Sequence, residues 1–379
     1  MTDDLAKLAP TLRSVGWDDD LDTWLAEQNS AAGHAESAPQ ESTAHGRIAR
    51  TSRGFCLVFT GGDAIMAASS SIRSSTGLAP STGDFVSIVE DPEDGPMVSA
   101  IAPRRTSLTR RAPGKVPEPQ VLAANIDDVF VMHGLDRPIN LNRLERQLVL
   151  AWASGATPVV LLTKADEVTH SEEAVDTISA IAPGVETLAI STVSGRNIDR
   201  VNEHFVGSRT IALLGLSGIG KSTLVNELSG GAVQRIGEVR ATDRRGRHTT
   251  VTRDLVPLPG GGIVIDTPGI REIGLWQAYD GLERTFPEIA EAAAACRFAD
   301  CSHTKEPGCG VSQARMNGTI TDRRLAHWGE LHGELALQEE QLEAFDRRTE
   351  SRSRAEAERR RDGERKRKPK GTKKKGKRR

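Results

Sequence analysis

The run Gly215-Leu-Ser-Gly-Ile-Gly-Lys-Ser222, followed by Thr223, constrains the fold more than any other stretch of this chain. It fits G-x-x-x-x-G-K-[ST], whose glycines let the backbone turn tightly enough for successive N–H groups to face phosphate oxygens. In such a loop Lys221 reaches the β- and γ-phosphates and the Ser222 hydroxyl ligates Mg²⁺. The flanks agree with it. Residues 210–214 form an apolar run suited to a buried strand, 222–228 suit a helix, and Gly230-Gly231 ends it.

The chain around the loop keeps the same texture from Asn125 to about Trp276. Strands are predicted at 128–132, 158–162 and 186–190, with helices over 141–154, 172–181 and 197–205. Residues 252–256 and 263–266 flank Gly260-Gly-Gly262 and predict a hairpin at the sheet edge. This is an α/β domain with a mainly parallel sheet, expected over 112–276. Before it, five short strands at 46–50, 54–59, 64–68, 84–89 and 97–101 are separated by turn-forming residues. They predict a small OB-like β-barrel over 44–111, closed by a basic edge at Arg104-Arg105 and Arg110-Arg111. Residues 1–43 are expected to be an N-terminal extension, with a short helix around 5–24 and a flexible linker over 28–43. Residues 277–350 read as helical, with Leu325, Trp328, Leu331, Leu335 and Leu342 at helix spacing for packing. Residues 351–379 read as a disordered basic tail.

Bulk properties narrow the class. The chain has 379 residues, enough for two or three domains, and no apolar run approaches the ~18 residues that a membrane span needs. The start, Met-Thr-Asp-Asp, carries no export signal, so a cytoplasmic protein without a membrane partner is expected. The net charge of −2 hides an asymmetry: residues 359–379 hold 14 Lys/Arg and two acidic residues, leaving 36 basic and 50 acidic elsewhere. An acidic body with a strongly basic tail suits a nucleic-acid arm. Three of the four cysteines crowd into Cys296-x₄-Cys301-x-His303-x₅-Cys309. A Cys₃His set with no open position suits one structural, tetrahedral Zn²⁺ rather than a disulfide.

Two further motifs decide which nucleotide the phosphate loop takes. Thr163-Lys164-Ala165-Asp166, directly after an apolar strand, matches [NT]-K-x-D. Guanine presents N1–H and N2–H₂ donors in a row, and one carboxylate, Asp166, accepts both, whereas adenine offers no such pair. Lys164 lays its aliphatic stem along the base, and the loop from Ser191 to Gly195 is placed over O6. After the phosphate loop, Asp266-Thr-Pro-Gly269 fits D-x-x-G: Asp266 holds Mg²⁺ and the Gly269 amide senses the γ-phosphate. Gly246-Arg-His-Thr-Thr250 lies between them as a switch loop, in which Thr249 or Thr250 completes the Mg²⁺ shell. Ile270 stands where Ras-like GTPases place a water-orienting Gln, so His248 is the candidate substitute and, with Lys221, the candidate catalytic group. An ATP-dependent phosphotransferase is disfavoured by T-K-x-D. An RNA-binding scaffold with incidental hydrolysis is the other rival.

The order is permuted. Ordinary GTPases run phosphate loop, switch Thr, D-x-x-G, N-K-x-D; here T-K-x-D comes first, a circular permutation that close-lying domain termini tolerate. An OB-like barrel, a permuted P-loop GTPase domain and a helical zinc-binding domain in this sequence resemble the ribosome small-subunit-dependent GTPase A family over about residues 45–345. The resemblance implies a monomer that binds the 30S subunit and its 16S rRNA late in maturation and helps release an assembly factor. It also implies slow hydrolysis of GTP to GDP, stimulated by the small subunit. Carried over position by position, GTP is bound by Thr163, Lys164, Ala165 and Asp166 and by Gly215, Leu216, Ser217, Gly218, Ile219, Gly220, Lys221, Ser222 and Thr223. Zinc falls to Cys296, Cys301, His303 and Cys309, and the switch histidine to His248. The Ala/Ser-rich N-terminal linker and the Lys/Arg tail are not core features of that family.

Overall fold

The computed structural model describes residues 11–32, 44–70, 72, 78–112, 114, 118–230, 253–266 and 274–367. The five predicted barrel strands all form: β1 (Ala44–Ser52), β2 (Phe55–Phe59), β3 (Ala64–Ala68), β4 (Phe85–Asp91) and β5 (Gly95–Ile101). They run in the order β1-β2-β3-β5-β4, and β4 returns to pair with β1, which closes the barrel. All pairs are antiparallel except β3 with β5. A shift in the β1–β2 register between Ile48 and Arg50 bends β1, so that its first half pairs with β4 while the strand continues along β2. The barrel is filled by Ile48, Cys56, Val58, Ala67, Val86, Ile88 and Val98. This is the OB-like architecture.

The α/β domain carries β8 (Asp128–Gly134), β9 (Thr157–Thr163), β10 (Glu186–Ala189), β11 (Thr210–Leu214), β12 (Asp254–Pro257) and β13 (Ile263–Asp266). Their order is β10-β9-β8-β11-β13-β12, parallel except for β12, which runs back along β13 as the predicted edge hairpin. β8, β11 and β9 are buried nearly throughout, which explains their continuous apolar composition.

Three features depart from the expectations. First, Ser107–Arg111 and Pro119–Ala124 form a separate antiparallel ribbon, β6 and β7. Their polar alternation hid them, since on β6 only Leu108 is an apolar anchor, and it is fully buried. Second, the N-terminal helix α1 spans Asp19–Ala32 rather than 5–24, starting after left-handed Gly16 and entering the stretch read as linker; residues 1–10 lie outside the described chain. Asp19, Asp20 and Asp22 in its first turn favour that start through the helix dipole, and Trp17 and Leu21 anchor it beside Phe85. Third, the last helix runs through Arg367, into the segment expected to be disordered from 351; its Ala, Glu and Arg content favours helix.

The remaining helices are α2 (Leu141–Ala153), α3 (Ser171–Ile181), α4 (Ile198–Glu203), α5 (Lys221–Leu228), α6 (Tyr279–Thr285), α7 (Pro287–Ala294), α8 (Gly310–Met316) and α9 (Asp322–Arg367). The predicted stripe on α9 packs as expected, with Leu331 and Leu335 buried among Leu282, Phe286, Ile289 and Val311. Helix α6 crosses α2 so closely that a Cβ on Gly281 would collide with the Val149 carbonyl.

Barrel and α/β domain are joined by β1 pairing with β12 at Arg50 and Asp254, whose side chains also meet at 2.5 Å. Arg47 adds a second tie. Its fully buried guanidinium donates to the carbonyls of Gly83, Val15 and Asn125 and to Thr210 Oγ1 at 2.7–3.1 Å. Burial pushes its pKa down only to about 10, so it stays charged at neutral pH.

Candidate functional site

The phosphate-type loop leaves β11 at the centre of the sheet and enters α5 at Lys221. Gly218 and Gly220 have φ of +81° and +98°, a region open to glycine, and a Cβ on Gly215 would lie 2.8 Å from the Met132 carbonyl oxygen. Lys221 folds back over the loop, donating to the carbonyls of Gly215 and Leu216 at 2.7 Å each. Burial lowers its pKa and the charge of Asp266 opposes that shift. Asp266 ends β13 across from the loop. With Lys164, Ser217, Gly218, Gly220, Lys221, Ser222 and Thr223 it lines a cleft of about 330 Å³.

A second lobe of about 170 Å³ adjoins this cleft; Lys164, Gly220 and Thr223 line both. Its walls are apolar at Ile190, Val193 and Leu224, and it holds the Asp166 carboxylate. The lobe is built from the ends of β9 and β10. The Thr163 hydroxyl donates to the Ile219 carbonyl at 2.6 Å and so ties the T-K-x-D turn to the phosphate-type loop. The Ala165 amide donates to the Ile190 carbonyl at 3.0 Å. Ser191 Oγ accepts the amides of Val193 and Ser194, which shapes the loop that the sequence placed beside the base. An apolar slot ending in a carboxylate, adjoining a glycine-rich turn at the start of a helix, fits a flat base with adjacent N–H donors carrying a polyphosphate.

The structure thus brings Thr163, Lys164, Asp166, Ser217, Gly218, Gly220, Lys221, Ser222, Thr223 and Asp266 onto the two adjoining lobes, while Ala165, Gly215, Leu216 and Ile219 belong to the same turns without lining them. His248, Thr249, Thr250, Gly269 and Ile270 lie outside the described residues. One partner of a cavity residue was missed by motif reading: Asp136, in the β8–α2 connection, whose Oδ2 lies 2.9 Å from Lys164 Nζ. No spacing rule flags a lone Asp in a turn.

In the C-terminal domain the donor atoms of Cys296, Cys301, His303 and Cys309 all lie within 4.8 Å of one another. Cys296 Sγ is 3.9 Å from Cys309 Sγ, and His303 Nδ1 is 3.5 Å and 3.7 Å from those sulfurs. A tetrahedron with Zn–S of ~2.3 Å and Zn–N of ~2.0 Å has edges of ~3.8 and ~3.5 Å, so the donor set fits that ion. The Gly310 and Ser312 amides point at Cys296 Sγ and Cys309 Sγ at 3.2 and 3.3 Å, contacts that orient both sulfurs.

The sequence also matches known proteins. The RsgA GTPase family model matches residues 101–276. A protein named small ribosomal subunit biogenesis GTPase RsgA from Methanosarcina acetivorans is 40% identical over 79% of this chain and 81% of its own length. Its namesake from Streptomyces coelicolor is 42% identical over 84% of this chain and 85% of its own. Among solved structures, YjeQ from Thermotoga maritima has a TM-score of 0.57 at 24% identity, over 78% of this chain and 99% of that one. YloQ, described as a circularly permuted GTPase, has a TM-score of 0.55 at 24% identity over 80% and 98%. These two likenesses establish the fold, and it is the permuted one that the motif order requires. Fold, motif order and identity over most of both chains converge: this chain belongs to the RsgA GTPase family.

Proposed function

We propose that this GTP hydrolase acts on the small ribosomal subunit, binding the 30S particle and its 16S rRNA late in assembly and helping an assembly factor to leave. Membership of the family supplies the hydrolase activity; the relatives' names, small ribosomal subunit biogenesis GTPase, support the target. The observation that carries the reading is the single two-lobed cavity, with Asp166 in one lobe and the amide loop in the other. In it the Asp166 carboxylate accepts the guanine N–H pair, and Lys164 lies along the base. The amides of 215–223 hold the phosphates, and Lys221 exchanges its two carbonyl partners for phosphate oxygens. Ser222, Asp266 and one of Thr249 and Thr250 would hold Mg²⁺, which neutralises charge on the β- and γ-oxygens. The Gly269 amide reads the γ-phosphate, and His248 orients the attacking water in place of the missing Gln.

The other domains suit a large ribonucleoprotein partner. An OB-like barrel presents a nucleic-acid-binding architecture, and the chain ends in a run of net positive charge. The Cys₃His cluster would hold one structural zinc, fixing the loop between α7 and α8 and taking no part in hydrolysis. No helix among the described residues is long and apolar enough to cross a membrane; the proposed setting is the cytoplasm, with the protein acting as a monomer. GTP turnover measured with and without purified 30S subunits tests the proposal. Slow turnover that rises at least tenfold with 30S supports it, and turnover indifferent to the particle overturns it.

A further inference from the structure

The β8–α2 connection holds a carboxylate that belongs to no nucleotide motif yet bonds a lysine that lines both lobes of the nucleotide cavity. Asp136 Oδ2 accepts from Lys164 Nζ at 2.9 Å and from Arg137 Nη2 at 2.8 Å. Its position is set by backbone. The Leu135 amide donates to the Thr163 carbonyl at 2.9 Å, so the connection is held to the end of β9, one residue before Lys164. The carboxylate then folds over Gly134, where any Cβ would collide with Asp136 Oδ1. Only glycine lets it lie there.

Lys164 is itself constrained. It is one of the few non-glycine residues with positive φ, at +60°, a conformation that persists only where the surroundings hold it. It also lines both lobes of the cavity, at the junction between the apolar slot and the amide loop. A long, flexible side chain at such a junction would sample many rotamers and block the passage in some of them. Tethering its ammonium on the β8 side leaves the aliphatic stem lying along the slot before any ligand arrives. Most exposed ion pairs contribute little to stability, and this one sits at the cavity's waist, where its effect falls on the ligand.

We infer that Asp136 is a positioning residue for nucleotide binding, holding Lys164 in the orientation that receives the purine base. Its carboxyl lies well below the ordinary carboxylate range because it bonds Arg137 and Lys164, so the tether is charged throughout the physiological range. The inference rests on the reading of Thr163–Asp166 as the base-recognition turn. It assigns Asp136 a role in affinity and none in the chemical step.

A double-mutant cycle on the full-length protein tests it, with GDP and GTP affinity measured by calorimetry and turnover measured at saturating GTP. Asp136→Asn is expected to weaken both nucleotides about five- to tenfold while leaving kcat within about twofold. In a Lys164→Met background, which keeps the stem and removes the ammonium, the same change is expected to cost nothing further. An equal loss in both backgrounds would mean that Asp136 only stabilises the turn, and unchanged affinity in Asp136→Asn would refute the inference outright. Asp166→Asn separates the two levels of the argument, because it should move preference from GDP to xanthosine diphosphate. If that swap fails, the base-recognition reading falls and the inference falls with it. If the swap occurs and the cycle shows no coupling, only the role of Asp136 is lost.

Discussion

Glu145, midway along α2, is fully buried and meets two arginines and a histidine from α9. Its Oε1 lies 2.6 Å from Arg323 Nη2 and 3.0 Å from Arg324 Nη1, and its Oε2 lies 2.6 Å from His327 Nδ1. Arg324 is held further by Glu288 and by the Thr285 carbonyl, so one carboxylate joins the GTPase helix to three elements of the zinc-type domain. Glu145→Gln keeps the shape and one acceptor but leaves Arg323 and Arg324 without their counter-charge and His327 without its carboxylate partner. Breaking a buried pair from one side costs about 3–5 kcal/mol, and the remaining amide and Glu288 place this variant near the low end, at ~3 kcal/mol. In a transition of the size of this domain pair that is a fall in Tm of about 6–12 °C. The pH dependence is distinctive. Burial by itself raises the Glu145 pKa, but its bonds to His327 and Arg323 and the charges of Arg323 and Arg324 outweigh that and hold it below the ordinary 4.5. The carboxylate's contribution is therefore complete above pH 4.5 and is lost as pH falls through the lower, folded-state value. Calorimetric scans of both proteins should show a constant gap near neutrality that closes below pH 4.5. A gap under ~1 kcal/mol, or one that persists into acid, would refute the view that this ion cluster holds the domains together.

Other perturbations probe other parts of the molecule. Thr163→Val leaves the Ile219 carbonyl without its donor, and an unmet buried acceptor of ~1–2 kcal/mol should weaken GDP binding by about five- to thirtyfold in a titration. Cys301→Ser should take zinc content, measured on the purified protein, from about one ion per chain to near none and lower the Tm of the C-terminal transition. Retention of the metal would show that the four-residue set was misassigned. Gln338→Ala removes a side chain that accepts from the Gln277 amide at 3.0 Å and donates to the Leu275 carbonyl at 2.8 Å. Basal turnover should survive and 30S stimulation should fall severalfold; stimulation that stays whole would exclude a role for this contact in it. Truncation after residue 358 should weaken RNA binding and flatten its salt dependence by ~0.7 per lost phosphate contact, visible in filter binding from 50 to 200 mM salt. An unchanged slope would leave the tail without a role there.

The parts of this molecule that were legible in its sequence are those where one local rule decides. β8, β9 and β11 are short apolar runs because they are buried on both faces, and the phosphate-type loop needs its glycines whatever surrounds it. The Cys₃His cluster was legible because ligand spacing is local. What stayed hidden depends on contacts between distant segments. Ser107–Arg111 alternates too weakly to announce a strand, yet Leu108 is buried against the α/β core. Asp19–Ala32 is anchored by Trp17 packing edge-on against Phe85, at a ring separation of 5.7 Å, which no window around α1 contains. Asp136 is likewise invisible, because its partner is 28 residues away.

The permutation explains how the switch segments are connected. β8 comes first in the domain yet lies between β9 and β11, so the base and phosphate lobes meet at its end, beside Asp136 and Thr163. The stretch 231–252, which holds His248, Thr249 and Thr250, leads into β12, and β12 is the strand stitched to the barrel through Asp254 and Arg50; Thr82 of the barrel side also donates to the Arg253 carbonyl at 3.2 Å. The stretch 267–273, which holds Gly269, leads into Leu275 and Gln277, whose backbone groups are clamped by Glu334 and Gln338 on α9. Glu334 also takes Arg146 of α2 at 2.6 Å, so the clamp is braced against the GTPase core. Each candidate switch segment is therefore anchored, within a few residues of its end, to a different accessory domain. In an unpermuted GTPase the chain after D-x-x-G must return through the rest of the sheet. Here it leaves directly, so under the proposed function a displacement of either segment by the γ-phosphate would pass to the barrel or to α9 without crossing the core. Under the same proposal, a partner that grips both accessory domains at once would bias both segments together and so couple its binding to the bound nucleotide.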